Sequence, residues 1–274
     1  MIKVENLSRV YRRARTAAFG PRAEVHALRD VSFEIESGRR FGIVGESGSG
    51  KSTLVRLLAG LDQPTAGAVT FDGQRVDGRS ERQLSFLRRD LQVVFQDPMG
   101  SLDPRMRVRD IIAEPLVAQR IPGQAQRVAE LLAAVGLSAD AGRRFPHQFS
   151  GGQRQRISLA RALAPKPRVV VADEPVSALD VSVRAQILNL LTDLVDRFAL
   201  TLVFVSHDLS VIRHVCDTVA VLRSGELVEI GDVEQVYRDP RHPYTRQLVQ
   251  AVPTLRGALS GVTTADLISE RKRL

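Results

Sequence analysis

Residues Gly45-Glu46-Ser47-Gly48-Ser49-Gly50-Lys51-Ser52 lie directly after an apolar run, Phe41–Val44, and lead into Lys51–Gly60, where apolar residues recur at helical spacing. Glycines in such a stretch permit a tight loop whose backbone N–H groups all face inward. The helix after it adds the partial positive charge of its N-terminus. A loop of this build is a receptor for phosphate. At this spacing Lys51 reaches the β and γ phosphates of a nucleotide, and the Ser52 hydroxyl ligates Mg²⁺. The plain alternative is a flexible Gly/Ser linker, but linkers do not sit between a buried strand and an apolar helix.

A second stretch, Val169-Val170-Val171-Ala172-Asp173-Glu174, is four apolar residues ending in two acids. A buried parallel strand delivers such acids at its carboxyl end, where α/β sheets bind ligands. Asp173 is then placed to hold Mg²⁺, and Glu174 to polarise an attacking water. Adjacent carboxylates need opposing charge, which Lys51 and Mg²⁺ supply. By itself this pattern reads equally as a strand ending in a solvated turn. The loop at 45–52 is what gives it chemical weight.

Strand-like runs alternate with helical stretches through most of the chain. Phe41–Val44, Gln92–Phe95, Val169–Asp173, Thr201–Val205 and Thr218–Leu222 read as strands, with helices over about Gln153–Leu163 and Val183–Phe198. That alternation predicts an α/β fold around a largely parallel sheet. Ile2–Glu5, Val31–Ile35 and Ala68–Phe71 read instead as an antiparallel β layer. From Pro98 to Phe149 the strand signal disappears and Val108–Val117 and Gln124–Val135 look helical, as expected of a helical insertion. Residues after Gly231 read as a short tail.

Other classes are narrowed by composition. No apolar run approaches the ~18–20 residues of a membrane span, and the first residues lack the apolar stretch of a secretory signal. A cytosolic product is expected. The single cysteine, Cys216, excludes an internal disulfide and a multi-thiolate metal site, and reads as a small core residue. The net charge is +8 across 274 residues, carried mostly by dispersed Arg, with only 5% aromatics. That distribution does not favour nucleic acid as a partner; a basic face resting near a membrane is as compatible with it.

Phe149-Ser150-Gly151-Gly152-Gln153 is a second small-residue turn opening a helix, and so a second anion-ready helix start. A kinase or GTPase has no use for two. Ser150-Gly151-Gly152-Gln153 resembles the signature motif of ABC ATPases, with Phe149 where Leu is commonest. Other marks of that family stand in order. Gln96 resembles the Q-loop glutamine, Ser177-Ala178-Leu179-Asp180 the D-loop, and His207 the switch histidine. Tyr11 resembles the aromatic that stacks on adenine, with Phe19 near enough to compete and Arg12–Ala23 stretching the spacing. The resemblance covers about residues 2–250.

The resemblance implies a P-loop NTPase (RecA-like) core with an antiparallel β layer and a helical insertion. It divides the chain into an ATPase domain over 1–253, with a helical subdomain about 98–158, and a tail over 254–274. Two such domains face head to tail, with ATP between one subunit's loop and the other's signature helix. Gly45, Glu46, Ser47, Gly48, Ser49, Gly50, Lys51, Ser52 and Thr53 then hold the phosphates in cis. Ser150, Gly151, Gly152 and Gln153 hold them from the partner. Glu174 is the general base, His207 positions the γ-phosphate and water, and Asp180 links the two sites. Ser52, Gln96 and Asp173 attend Mg²⁺, and Gln96 also relays to the helical insertion.

Gln96-Asp97-Pro98-Met99-Gly100-Ser101-Leu102-Asp103-Pro104-Arg105, the stretch Asp173–Val183, and His242-Pro243-Tyr244-Thr245 with Ala251-Val252-Pro253 resemble the dipeptide, oligopeptide and nickel importer branch. Its members work with a second ATPase subunit (the same chain or a paralogue), two membrane permease subunits and, indirectly, an extracytoplasmic solute-binding protein. They sit peripherally on the cytoplasmic face of the membrane. C-terminal cysteines proposed in some members to hold an iron–sulfur cluster are not found here. The tail can also be read as a segment that merely covers the sheet edge. Two other functions remain as alternatives: a soluble ABC protein of nucleic-acid or translation metabolism, and a P-loop kinase or GTPase. One loop, one signature and about fifty residues between Gln96 and Ser150 weigh against the first, the Ser150 turn against the second.

Overall fold

The structure is a computed structural model that describes residues 1–12 and 24–251. Strands β1 (Ile2–Arg12), β2 (Glu24–Ile35) and β3 (Arg40–Val44) lead to helix α1 (Lys51–Leu58). Then come β4 (Ala66–Phe71), β5 (Gln74–Arg75), α2 (Ser85–Asp90) and β6 (Leu91–Val94). Next is a helical run: α3 (Pro98–Ser101), α4 (Val108–Ala118), α5 (Gln124–Ala134) and α6 (Gly151–Leu163). The chain returns to β7 (Val169–Asp173), α7 (Val181–Arg197), β8 (Thr201–Ser206), α8 (Leu209–Val215), β9 (Thr218–Arg223) and β10 (Glu226–Asp232). Helices α9 (Val233–Arg238) and α10 (Pro243–Gln250) close the described part.

The strands form two sheets. One is antiparallel in the order β2-β1-β4-β5, and the other has the order β10-β9-β3-β8-β7-β6. In the second, β9-β3-β8-β7-β6 are parallel and only β10 is antiparallel. Every residue of β7 and β8 is buried, as central parallel strands require. Their alternation assigns each residue a face. Val170, Ala172, Leu202 and Phe204 pack into a core with the helices α4–α8. Val169, Val171, Val203 and Val205 pack into a second core with α1 and the antiparallel sheet. Cys216 is a buried free thiol whose burial pushes its pKa up, in keeping with the inert core residue expected.

The early strands are longer than their sequence pattern indicates. Asn6 and Asp30 both take left-handed backbone, and the β1–β2 register shifts there. The Asn6 side-chain amide donates to Asp30 at 2.8 Å. These irregularities break the period-two alternation, so only Ile2–Glu5 and Val31–Ile35 announce themselves. Beyond Gly231 the tail forms α9 and α10. Phe19, most of Arg12–Ala23, Val252-Pro253 and the tail 254–274 lie outside the described residues. Among the described residues no helix is long and apolar enough to cross a membrane.

Candidate nucleotide site

The carboxyl ends of β3, β6, β7 and β8 converge, because parallel neighbours are in register: Val44 lies beside Ser206, and Asp173 beside Val205. The segments leaving these strands therefore meet in one place. The loop 45–50 comes after β3, Gln96 after β6, Glu174 after β7 and His207 after β8. They border a cavity of about 770 Å³.

The loop closes on its own lysine. Lys51 is only 5% exposed. Its Nζ donates to the Gly45 carbonyl at 2.7 Å and the Glu46 carbonyl at 2.9 Å. Gly50 caps α1 with φ 105°, and a Cβ there would lie 2.4 Å from the Ala27 carbonyl on β2. Conformation and space both demand glycine. Ser49 is buried and does not border the cavity, whereas Glu46, Ser47, Gly48, Ser52 and Thr53 do.

Glu174 stands between two basic groups. One carboxylate oxygen is 3.7 Å from Lys51 Nζ, and the other is 3.1 Å from His207 Nδ1. Its backbone has φ 45°, a left-handed conformation rare outside glycine, held by its N–H donating to the Val205 carbonyl at 3.0 Å. Strain of this kind aims a side chain that a relaxed strand end would turn elsewhere.

Asp173 is 9% exposed, and its Oδ1 is buried without a hydrogen-bond partner, while the Ser52 hydroxyl bonds its carboxylate. A buried oxygen with nothing to accept from is what a hard divalent cation, or its bound water, satisfies. Among the described residues no cluster of three or more His, Cys, Asp or Glu forms a protein-only metal cage. Mg²⁺ beside nucleotide phosphates needs no such cage. Burial, and Glu174 next to it, push the Asp173 pKa above the ordinary carboxylate range, against the pull of Lys51 and Ser52. The folded chain thus holds this proton more tightly than the unfolded chain. The resulting stabilisation is full below the unfolded-state pKa and is lost as the pH rises through the folded-state one. At pH 7 the ionised carboxylate is a cost, so Asp173→Asn is expected to raise the Tm of the nucleotide-free chain by about 2 °C or more, the shift that ~1 kcal/mol produces at this size. The gain should shrink towards pH 4. A melt showing the substitution destabilising at pH 7 contradicts this.

Tyr11 also lines the cavity and pairs across the sheet with Val25, and Val25, His26 and Ala27 line it as well. The Tyr11 hydroxyl donates to Asp62 at 2.6 Å, and Arg9 lies 4.5 Å over the ring while donating twice to the same carboxylate. The ring is thereby clamped. The β2 residues carry no mark in the sequence. Their place in the wall depends on strand register, which no local pattern reveals.

The signature residues do not join this cavity. Ser150 caps α6: its hydroxyl accepts from the Gln153 N–H at 3.3 Å, while Gln153 Oε1 accepts from the Ser150 N–H at 3.0 Å. Ser150, Gly151 and Gln153 are exposed, and Gly152 is buried where a Cβ would meet Val183 at 2.4 Å. Asp180 caps α7, and hydrogen bonds from the Val183 N–H and the Ser182 hydroxyl hold its carboxyl below the usual range. Neither Ser150–Gln153 nor Asp180 lines the cavity that holds Lys51. Next to Asp180, Val181 is 81% exposed, an apolar side chain with little cover.

Known proteins resemble this chain in sequence and in fold. The ABC transporter family model matches residues 28–177, and the model of the oligopeptide/dipeptide transporter C-terminal region matches residues 228–270. The chain is 47% identical to the Di/tripeptide transport ATP-binding protein DppF of Pseudomonas aeruginosa (strain UCBPP-PA14), over 93% of this chain and 80% of that one. It is 52% identical to the Glutathione import ATP-binding protein GsiA of Escherichia coli (strain K12), over 84% of this chain but only 37% of GsiA's length. Among solved structures, the ATP-binding cassette MJ0796, a dimer in a post-hydrolysis state with ADP and Pi, superposes with a TM-score of 0.75 at 30% identity, covering 85% of this chain and 99% of that one. CbiO1 of Clostridium perfringens, part of the ABC transporter complex cbiONQ, gives 0.76 at 27% identity over 95% and 98%. With a glycine-rich loop after β3, paired acids at the end of β7 two strands away in the same sheet, and a capped helix start outside their cavity, the chain belongs to the ABC transporter family, as an ATP-binding, ATP-hydrolysing subunit.

Proposed function

We propose that the chain drives uptake of peptides or related small solutes through an ABC importer, as a peripheral subunit on the cytoplasmic face of the membrane. One observation carries the catalytic part of this reading: Lys51 and His207 converge on Glu174 at 3.7 and 3.1 Å, beside the cavity, while the anion-ready Ser150 helix start lies outside it. A chain built this way has half of two sites. Two copies, or this chain and a paralogue, complete them head to tail.

In that assembly the loop from Gly45 to Thr53, with Lys51, holds the phosphates, and Tyr11 stacks on the adenine. Ser52, Asp173 and Gln96 would hold Mg²⁺, which would supply positive charge against that of the phosphates. Glu174 takes the proton of the attacking water. His207, its Nδ1 already within reach of Glu174, orients the γ-phosphate. Ser150, Gly151, Gly152 and Gln153 of the partner subunit close over that phosphate, and Asp180 with the exposed Val181 meets the partner beside it. Hydrolysis removes the charge that holds the halves together. Gln96 passes the change to the segment α3–α6, a local electrostatic event moving a packed element.

Membrane permeases need a surface on this chain. Exposed Leu61 and Phe95 share a groove of about 360 Å³ with Glu114 and Pro115 of α4, where the α/β core meets the helical segment. An apolar groove beside Gln96 is well placed to feel its movement. The match of residues 228–270 to the oligopeptide/dipeptide transporter C-terminal region, and the likeness to DppF and GsiA, support peptides as the solute class.

Reconstitution tests this. The chain, with the permeases and solute-binding protein of its genomic neighbourhood, is expected in one membrane complex whose ATPase rate rises several-fold when peptide-loaded binding protein is added. A rate indifferent to every peptide but stimulated by nucleic acid would move the chain to the soluble alternative.

A further inference from the structure

Helix α10 begins with His242-Pro243-Tyr244-Thr245, and each of the first three has a visible task. The His242 Nδ1 caps the helix by accepting from the Tyr244 N–H at 3.2 Å, and Pro243 takes the first helical position. Glu229 on β10 pins the entry by accepting from the Arg241 N–H at 2.9 Å and the His242 N–H at 3.0 Å. Tyr244 is 3% exposed. Its hydroxyl accepts a hydrogen bond from the Glu46 N–H at 3.0 Å, and Arg223 at the end of β9 lies 5.0 Å over its ring.

Glu46 N–H and Gly45 C=O belong to one peptide plane. The carbonyl on one edge accepts from Lys51 at 2.7 Å, and the N–H on the other edge donates to Tyr244. A trans peptide is rigid, so fixing one edge orients the other. We propose that Tyr244 is a positioning residue for ATP binding: by holding the Glu46 N–H it sets the first peptide of the phosphate loop, and with it the lodging of Lys51. The C-terminal helix is then a strut of the nucleotide site. Burial raises the phenol's pKa above its ordinary value, and an oxygen lone pair serves the Glu46 N–H.

The proposal rests on the reading of Lys51 as the phosphate ligand, and the test separates the two. Titration of the full chain with ATP and Mg²⁺ is compared for wild type and for Tyr244→Phe, Leu248→Ala and Lys51→Ala. Tyr244→Phe keeps the ring and deletes only the hydroxyl. It should weaken ATP binding about fivefold, the equivalent of one ordinary hydrogen bond, and speed hydrogen exchange at the Glu46 amide. Leu248, one turn further along α10 and packed against the core, leaves the phenol in place. Leu248→Ala should lower the Tm more than Tyr244→Phe and weaken ATP less. Unchanged ATP affinity and Glu46 exchange in Tyr244→Phe overturn the proposal. So does a loss of affinity that tracks Tm across both α10 variants, because that is the behaviour of simple packing. If Lys51→Ala binds ATP normally, the reading of the loop has failed and the strut has nothing to support.

Discussion

A Glu174→Gln chain is expected to bind ATP as wild type does, to hydrolyse it at least about a hundredfold more slowly, and to accumulate as a nucleotide-bound dimer. The substitution keeps the shape of the side chain. It also keeps the backbone, whose left-handed turn is held by the bond from the Glu174 N–H to the Val205 carbonyl and owes nothing to the carboxylate. The negative charge between Lys51 and His207 disappears. An amide cannot take a proton from water at neutral pH, so the general-base contribution goes and the binding groups remain. Without hydrolysis the γ-phosphate stays in place, and the halves it joins do not separate. Phosphate release and size-exclusion chromatography with ATP read the two consequences. Turnover near wild type would remove Glu174 from the base role, and slow turnover with no dimer would break the link between phosphate and assembly.

The parts of this site legible in the sequence are those whose chemistry forces a local pattern. A phosphate loop needs its glycines and lysine within eight residues, and a buried strand that presents Asp173 must be apolar up to it. Both patterns survive in any context. The parts that stayed hidden depend on register or distance. Asn6 and Asp30 interrupt β1 and β2 with left-handed turns, so the strands that carry Tyr11, Val25 and His26 into the cavity lose their alternation where it is needed. Strand β10 is a half-exposed edge, and its mixed burial gives no period. Helix α10 is visible as a motif, but its hold on Glu46 spans 198 residues and leaves no trace in either segment alone.

The head-to-tail arrangement can be tested without disturbing the fold, because the signature serine performs two separable tasks. Ser150 is the N-cap of α6, and its hydroxyl accepts from the Gln153 N–H. Aspartate caps helices as well as serine does and adds favourable charge at the N-terminus, so Ser150→Asp should leave the Tm within about 1–2 °C of wild type. The second task is contact with a phosphate held by the other subunit, and there the same carboxylate faces a like charge across a closed, water-poor interface. Repulsion of that kind costs several kcal/mol. Ser150→Asp is therefore expected to bind ATP at its own loop, since Ser150 does not line that cavity. It should fail to dimerise with ATP and lose at least about a hundredfold in hydrolysis, roughly 2.7 kcal/mol by the rate arithmetic. Introduced together with Glu174→Gln, it should abolish the trapped dimer, which separates assembly from chemistry. Persistence of that dimer in the double variant would mean that no phosphate lies against this helix start in any pairing of subunits.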